Sequence, residues 1–210
     1  DLMLLFGLPL FVLYTPEGRE SAPVRRPVLA GLALLGLVLS TLAIAAMTAS
    51  MAGVPILDVD RGSIATMISD TPMGMAWSVR MGALALLAIS LGTSQRPPIF
   101  SSLAAIALGS LAWTGHGAAG EGNSGMLQLI GDLVHLLAAA AWIGALAGLG
   151  LMLLGRTEPA IAHRALDRFS AIGMAIVIAV VGRGIANGAY LIGGSNLGQR
   201  PMTLYGQLLI

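Results

Sequence analysis

Cysteine and lysine are both missing from the chain. Without thiols there are no disulfides, thiolate metal sites or iron–sulfur clusters, and His, Met, Asp and Glu are the metal ligands left on offer. Without lysine all 11 basic residues are arginine, and a net charge of +1 gives no basic patch that argues for nucleic acid. Charge of any sign is scarce, at 10% of 210 residues against 56% hydrophobic, and mean hydropathy is +0.86. That balance leaves too little polar surface for a soluble domain and marks a polytopic membrane protein. No nucleophile and base stand at motif spacing, and there is no phosphate loop or HExxH, so the sequence reads as no enzyme. Aromatics make up only 5% while glycine numbers 28, which fits helices packed closely in lipid, where small residues let backbones approach.

The apolar runs set out an all-α transmembrane bundle of about six complete or near-complete spanning helices with a truncated one at an end. Residues 2–14 read as the second half of a span, ended by Thr15-Pro16-Glu17-Gly18. Further spans are expected at 28–53, 74–92, 97–116, 127–154 and 169–193, and Thr203 opens another. The connector 54–73 carries Asp58, Asp60, Arg61 and Asp70, and its stretch 62–69 reads as a short interfacial helix. Residue 1 is not Met, and 1–14 and 204–210 are each too short to cross ~30 Å of hydrocarbon. Residues 1–210 are therefore expected to be one transmembrane domain, cut at both ends.

Arginine placement orients the bundle. Arg19, Arg25, Arg26, Arg96, Arg156, Arg164 and Arg168 occupy alternate connectors, whereas the intervening ones hold only Arg61 and Arg200. The first set is expected to face the cytoplasm. On the opposite side gather Met47, Met51, Met67, Met73, Met75, Met81, Met126 and Met202. Methionine is a common filler of membrane helices, yet thioether with imidazole is also the ligand set that a soft ion such as Cu(I) prefers.

Most of the unusual polar chemistry falls between Trp113 and Gly144. Trp113 and His116 are three residues apart, as are Asp132 and His135, and Trp142 lies seven beyond His135, so on helices each set shares a face. A Gly-rich turn at 117–126 is expected to bring the two helices back antiparallel, with both histidines near one membrane surface. A lone membrane histidine is often a hydrogen-bonded packing residue. Ionisable groups inside a bilayer are costly all the same, and several at one end define a candidate site. Arg80, Arg183 and Asn187 supply further polar groups along the spans, and Asp132 is the nearest acid to Arg183 by depth. His163 sits beside Arg164 in an Arg-rich connector and reads as a solvated interfacial residue outside the site.

There is a trace of internal repetition. Thr71-Pro-Met-Gly74 is echoed by Thr203-Leu-Tyr-Gly206, and Leu5-Phe-Gly7 by Trp142-Ile-Gly144, which implies two units of four helices. Transporters often carry such symmetry, with the site at the interface of the units.

The pieces TPMGMAWSVR (71–80), WTGHG (113–117), DLVHLLAAAAWIG (132–144), RFSAIG (168–173) and TLYGQLL (203–209) resemble, in order, the copper resistance protein D (CopD) family of bacterial inner-membrane proteins. The resemblance implies a bundle of about eight helices in a multi-pass inner-membrane protein. It also implies copper as the ion bound and moved across that membrane, and a periplasmic copper-binding protein of the CopC type as partner. The matching site positions are His116, Asp132 and His135, with Trp113 and Trp142 as packing neighbours. The family's first helix usually carries a histidine upstream of L-F-G, a stretch this sequence does not contain. In this reading Met47, Met51, Met73 and Met75 collect the ion, His116 and His135 bind it, Asp132 orients His135 or neutralises charge, and Arg80, Arg183 and Asn187 support a polar seam. Two other readings stand beside it: a membrane haem protein with histidines from neighbouring helices on one iron, and a non-transporting scaffold that docks a periplasmic copper-binding partner.

The orientation is testable by labelling single cysteines from outside the cell. Cysteines placed at Glu121 or Asp60 should react and those at Arg19 or His163 should not; the reverse pattern would overturn the topology.

Overall fold

The computed structural model describes residues 1–15, 26–94, 96–114, 122–155 and 157–192, leaving out the side chains of 114, 122–124, 127, 179, 180, 183 and 185–192. Among the described residues every regular element is helical. In chain order these are α1 (Leu2–Tyr14), α2 (Arg26–Ala52), a 3-10 turn (Ile56–Asp58), α3 (Arg61–Asp70), α4 (Pro72–Thr93), α5 (Pro97–Gly109) with a 3-10 extension (Ser110–Thr114), α6 (Gly122–Leu154) and α7 (Pro159–Ile192). Three stretches, Arg26–Ala52, Pro72–Thr93 and Gln128–Leu154, are long and apolar enough to cross a membrane, and Leu2–Tyr14 and Pro97–Trp113 are shorter apolar helices. At 1.5 Å per residue the 27 residues of α2 reach about 40 Å, more than the ~30 Å of a hydrocarbon core. Its outer face is a continuous run of exposed apolar side chains, Leu34, Leu35, Val38, Leu39 and Leu42 among them, the pattern of a surface solvated by lipid.

Helices α1, α2, α4 and α5 close into a ring: α1 packs on α2 and α5, and α4 on the same two. Its interior is filled by Leu5 and Phe6 of α1, Leu29 and Ala33 of α2, Leu84 and Leu87 of α4, and Ala104 and Leu108 of α5. Helix α6 then lies along the other side of α1, and α7 packs on α6. A second apolar cluster, of Phe11, Ala145, Met152, Ala165 and Phe169, ties α1, α6 and α7 together near the far ends of α1 and α6.

Helices α1 and α6 approach each other backbone to backbone. A Cβ built on Gly144 would stand 2.2 Å from the carbonyl carbon of Gly7, and one on Gly7 would stand 2.1 Å from the Ala140 carbonyl oxygen. No side chain fits between these backbones. One turn further along, a Cβ on Gly148 would meet the Phe11 ring at 2.4 Å, so the helices run parallel with pairs 7/144 and 11/148 in the same register, both 137 residues apart. Pro9 lies inside α1 between the two contacts; lacking an N–H, it leaves the Leu5 carbonyl without its helical donor.

The motif at 71–74 is a helix start. Thr71 caps α4, its side chain accepting from the Gly74 N–H at 2.9 Å, and Pro72 occupies the first turn, where a missing N–H costs nothing. Thr71 Oγ1 also donates to the Met67 carbonyl at 2.6 Å, folding α3 back on α4. Gly74 is required for that fold, because a Cβ there would lie 2.2 Å from the Met67 carbonyl oxygen. The expected interfacial helix at 62–69 is seen as α3, capped by Asp60, whose carboxylate accepts from the Ser63 N–H at 3.0 Å. Bonds from Ser63 hold the exposed Asp60 carboxyl below the usual carboxylate range.

Three boundaries differ from the sequence reading. The expected 97–116 span gives up α-geometry after Gly109, where the Ser110 hydroxyl donates to the Ala107 carbonyl three residues back and tightens the chain into a 3-10 turn. Helix α6 begins at Gly122 rather than 127, since a glycine costs only about 1 kcal/mol in a helix and does not by itself make a loop. Helix α7 begins at Pro159, ten residues before the expected span, because Pro159 is well placed as a first helical residue and Glu158 takes the Ile161 and Ala162 N–H groups on its carbonyl. The span proposed to open at Thr203 lies outside the described residues.

If the α1–α6 crossing holds the bundle together, Gly144→Ala should lower stability in detergent by about 1–3 kcal/mol through overpacking. Gly31→Ala, at a site with open space around it, should be neutral or better. Thermal unfolding followed by circular dichroism would decide, and equal melting points for the two variants would refute the crossing.

Candidate functional site

The fold brings most of the sequence-predicted site residues to one end of the bundle. The last turns of α2, all of α3, the first turns of α4 and the 3-10 extension after α5 adjoin one another there, and α6 enters beside them. Met47 and Met51 come from α2, Met73 and Met75 from α4, and Met126 from α6. Met51 is 70% exposed, Met75 68% and Met126 66%, so three thioethers are open at this end, whereas Met47 and Met73 are half-buried. Met67 is buried, with its sulfur 3.8 Å from Thr71 Oγ1, and serves the α3–α4 fold.

On α6, Asp132 is half-buried and His135 exposed, one turn apart. Trp142 lies two turns beyond His135 on the same stripe and packs on α7, its ring 5.3 Å from that of Phe169 at 58°. Gly173 leaves room for that indole, a Cβ there being 3.4 Å from Trp142 Cζ3. Helices α6 and α7 are antiparallel neighbours, so their residues can be levelled from this contact. Asp132 lies ten residues before Trp142 and Arg183 ten beyond Gly173, each about 15 Å along its helix at 1.5 Å per residue. The backbones thus set Asp132 and Arg183 within about one helical turn of each other in height; the side chains of Arg183 and Asn187 are outside the described residues, as is the whole of His116. Among the described residues no three His, Cys, Asp or Glu side chains stand together as a metal-holding group.

Arg80 sits apart from this arrangement. It is only 6% exposed and projects into the α1–α2–α4–α5 ring on the face of α4 that also carries Leu84 and Leu87. Its Nε donates to Ser110 Oγ at 3.0 Å, and Nη2 is buried with no acceptor among the described residues. One turn before it, Trp77 Nε1 donates to the Ser40 carbonyl at 2.8 Å and pins α4 to α2. Ser110 was not among the residues that sequence reasoning singled out. Its signal was faint, one hydroxyl among the four of the 97–116 run, with nothing in the sequence to show that it faces Arg80. Trp113 is 43% exposed beside it. His163, excluded from the site by sequence, is exposed at the other end of the bundle with Nδ1 3.0 Å from the Asp167 carboxylate.

A helical bundle with helices long and apolar enough to cross a bilayer defines the class as a membrane protein, and comparison with known proteins narrows it. The family model described as copper resistance protein D-like, N-terminal domain, matches residues 1–126. Copper resistance protein D of Pseudomonas syringae pv. tomato is 36% identical over 224 aligned positions, covering 100% of this chain and 72% of that protein. Copper transport protein CutJ of Bacillus subtilis (strain 168) is 28% identical over 161 positions, covering 71% of this chain and 29% of that protein. The chain belongs to the copper resistance protein D family. No solved structure matches it.

The Arg80–Ser110 bond makes a stability prediction. Ser110→Ala strands a second guanidinium donor and should cost about 1–3 kcal/mol, and Arg80→Met in the same background should recover part of the loss by removing the buried charge. Melting temperatures of the single and double variants check this; strictly additive losses would show that the two side chains are not coupled.

Proposed function

We propose that this protein binds copper at the methionine-bearing end of the bundle and moves it across the bacterial inner membrane. The observation that carries the reading is the convergence at one end of exposed Met51, Met75 and Met126 with the Asp132–His135 turn of α6, in a chain of a copper resistance family. In this proposal the end faces the periplasm, as the arginine distribution argues. The exposed thioethers take up the ion. His135 and His116 hold it between the fifth and sixth elements of the bundle, with Met47 and Met73 lining the approach. Asp132 orients His135 or offsets charge, and its level match with Arg183 supports an ion pair between α6 and α7, with Asn187 one turn beyond. A periplasmic copper-binding protein of the CopC type would deliver or accept copper at this face.

The proposed architecture is about six spans within this chain and a truncated one at an end, belonging to two related units of four helices each. Two facts support the repeat: α1, α2, α4 and α5 already close a four-helix ring, and Gly7 and Gly144, the positions equated by the likeness of L-F-G to W-I-G, are the ones that cross. Parallel packing of equivalent helices is what a two-fold axis along the membrane normal produces.

A metal held by both histidines would crosslink two helices, so losing either ligand should weaken binding as much as losing both. His116→Ala, His135→Ala and the double variant should show the same copper-uptake defect at normal protein levels, and Met73→Leu or Met75→Leu a smaller one. Wild-type uptake in both single histidine variants would remove this stretch from the metal path.

A further inference from the structure

Beside the Arg80–Ser110 pair, on the outer side of α4, a cavity of about 810 Å³ opens between α4, α5 with its 3-10 extension, and α6. This is within the ~300–1,000 Å³ typical of ligand sites. Its walls are apolar, built from Ala76 and Val79 of α4, Ala105 and Ile106 of α5, and Leu133 and Leu137 of α6. Val79 and Ile106 are about half exposed, so the cavity opens sideways on the surface that faces lipid. From Pro72 to Val79 it runs about 10 Å along α4, within the ~15 Å depth of one leaflet.

Its rim is chemically different from its walls. Ser69, Asp70, Thr71 and Trp113 stand there, at the ends of α3 and of the 3-10 extension, where a bilayer's headgroups begin. A half-exposed tryptophan at that height is an interfacial anchor. Asp70 is exposed, accepts from Ser69 Oγ at 2.7 Å, and is the one ionisable side chain among the described residues lining the cavity. An apolar groove one leaflet deep with an exposed carboxylate at its mouth complements an acyl chain whose headgroup carries an ammonium, while the Arg80 guanidinium behind Ser110 lies ten residues further along the chain than Asp70, deeper than the headgroup level.

We propose that this groove is a binding site for phosphatidylethanolamine, with an acyl chain between α4, α5 and α6 and the headgroup ammonium on Asp70. The occupant fills space that would otherwise leave the α4–α6 gap unpacked. It lies against Met75, one of the exposed thioethers of the methionine-bearing end.

The proposal is tested on the whole protein in nanodiscs of equal phosphatidylethanolamine and phosphatidylglycerol, by native mass spectrometry of the lipid retained after release. Wild type should keep phosphatidylethanolamine enriched about three-fold over the bulk ratio, the scale of one interfacial charge pair. Asp70→Asn, an exposed change with no packing consequence, should return the retained lipid to the bulk ratio, and Ala105→Phe, which fills the groove, should abolish retention. Lipid retained by wild type at the bulk ratio, or retention unchanged in Ala105→Phe, would overturn the site and leave the groove to a second copy or to the chain's own residues 115–121. Copper uptake does not enter the readout, so this inference stands or falls separately from the proposed transport.

Discussion

The bundle depends on two glycines meeting. In lipid, apolar side chains gain nothing by leaving one apolar surface for another, so helices associate through close packing and backbone approach. Gly7 and Gly144 supply that approach at the point where α1 and α6 cross. Everything on the α6–α7 side is referred to this contact, because α1 is the element shared by the four-helix ring and by the α6–α7 pair. The second cluster around Phe11 repeats the contact one turn on, with the aromatic ring of α1 seated over Gly148. Helix α1 holds this position because both of its sides are packed.

Much of the fold was legible because the physical signals were strong and local. Long apolar runs gave α2, α4 and α6 nearly to their ends, and Thr71-Pro72 is a helix start whose capping chemistry can be read without coordinates. The errors came where tertiary packing outweighed composition. The glycines at the start of α6 read as a turn, yet helix is continuous from Gly122, and the α-to-3-10 change after Gly109 depends on a serine hydroxyl competing for a carbonyl. No periodicity shows such a change.

The candidate site was legible in part. That Asp132, His135 and Trp142 share one helix was readable from spacing, and so was the gathering of methionines on one side. What spacing cannot give is which thioethers are open: Met67 looks like Met75 in sequence, but the Thr71 hydrogen bond to its carbonyl buries it under α4. Arg80, expected with Arg183 and Asn187 in one polar seam, is buried on Ser110, and the side chains of Arg183 and Asn187 lie outside the described residues. Its partner escaped notice because a single serine in an apolar run carries no charge to mark it.

That seating has an electrostatic consequence. A guanidinium cannot shed its proton at any physiological pH, so the interior of the first ring carries a permanent positive charge near the level of Ser110. A monovalent cation passing at roughly 8 Å in surroundings of effective dielectric about 20 would be raised by about 2 kcal/mol, enough to disfavour that route some thirty-fold. That fixed charge opposes any small cation that enters the ring at the level of Ser110.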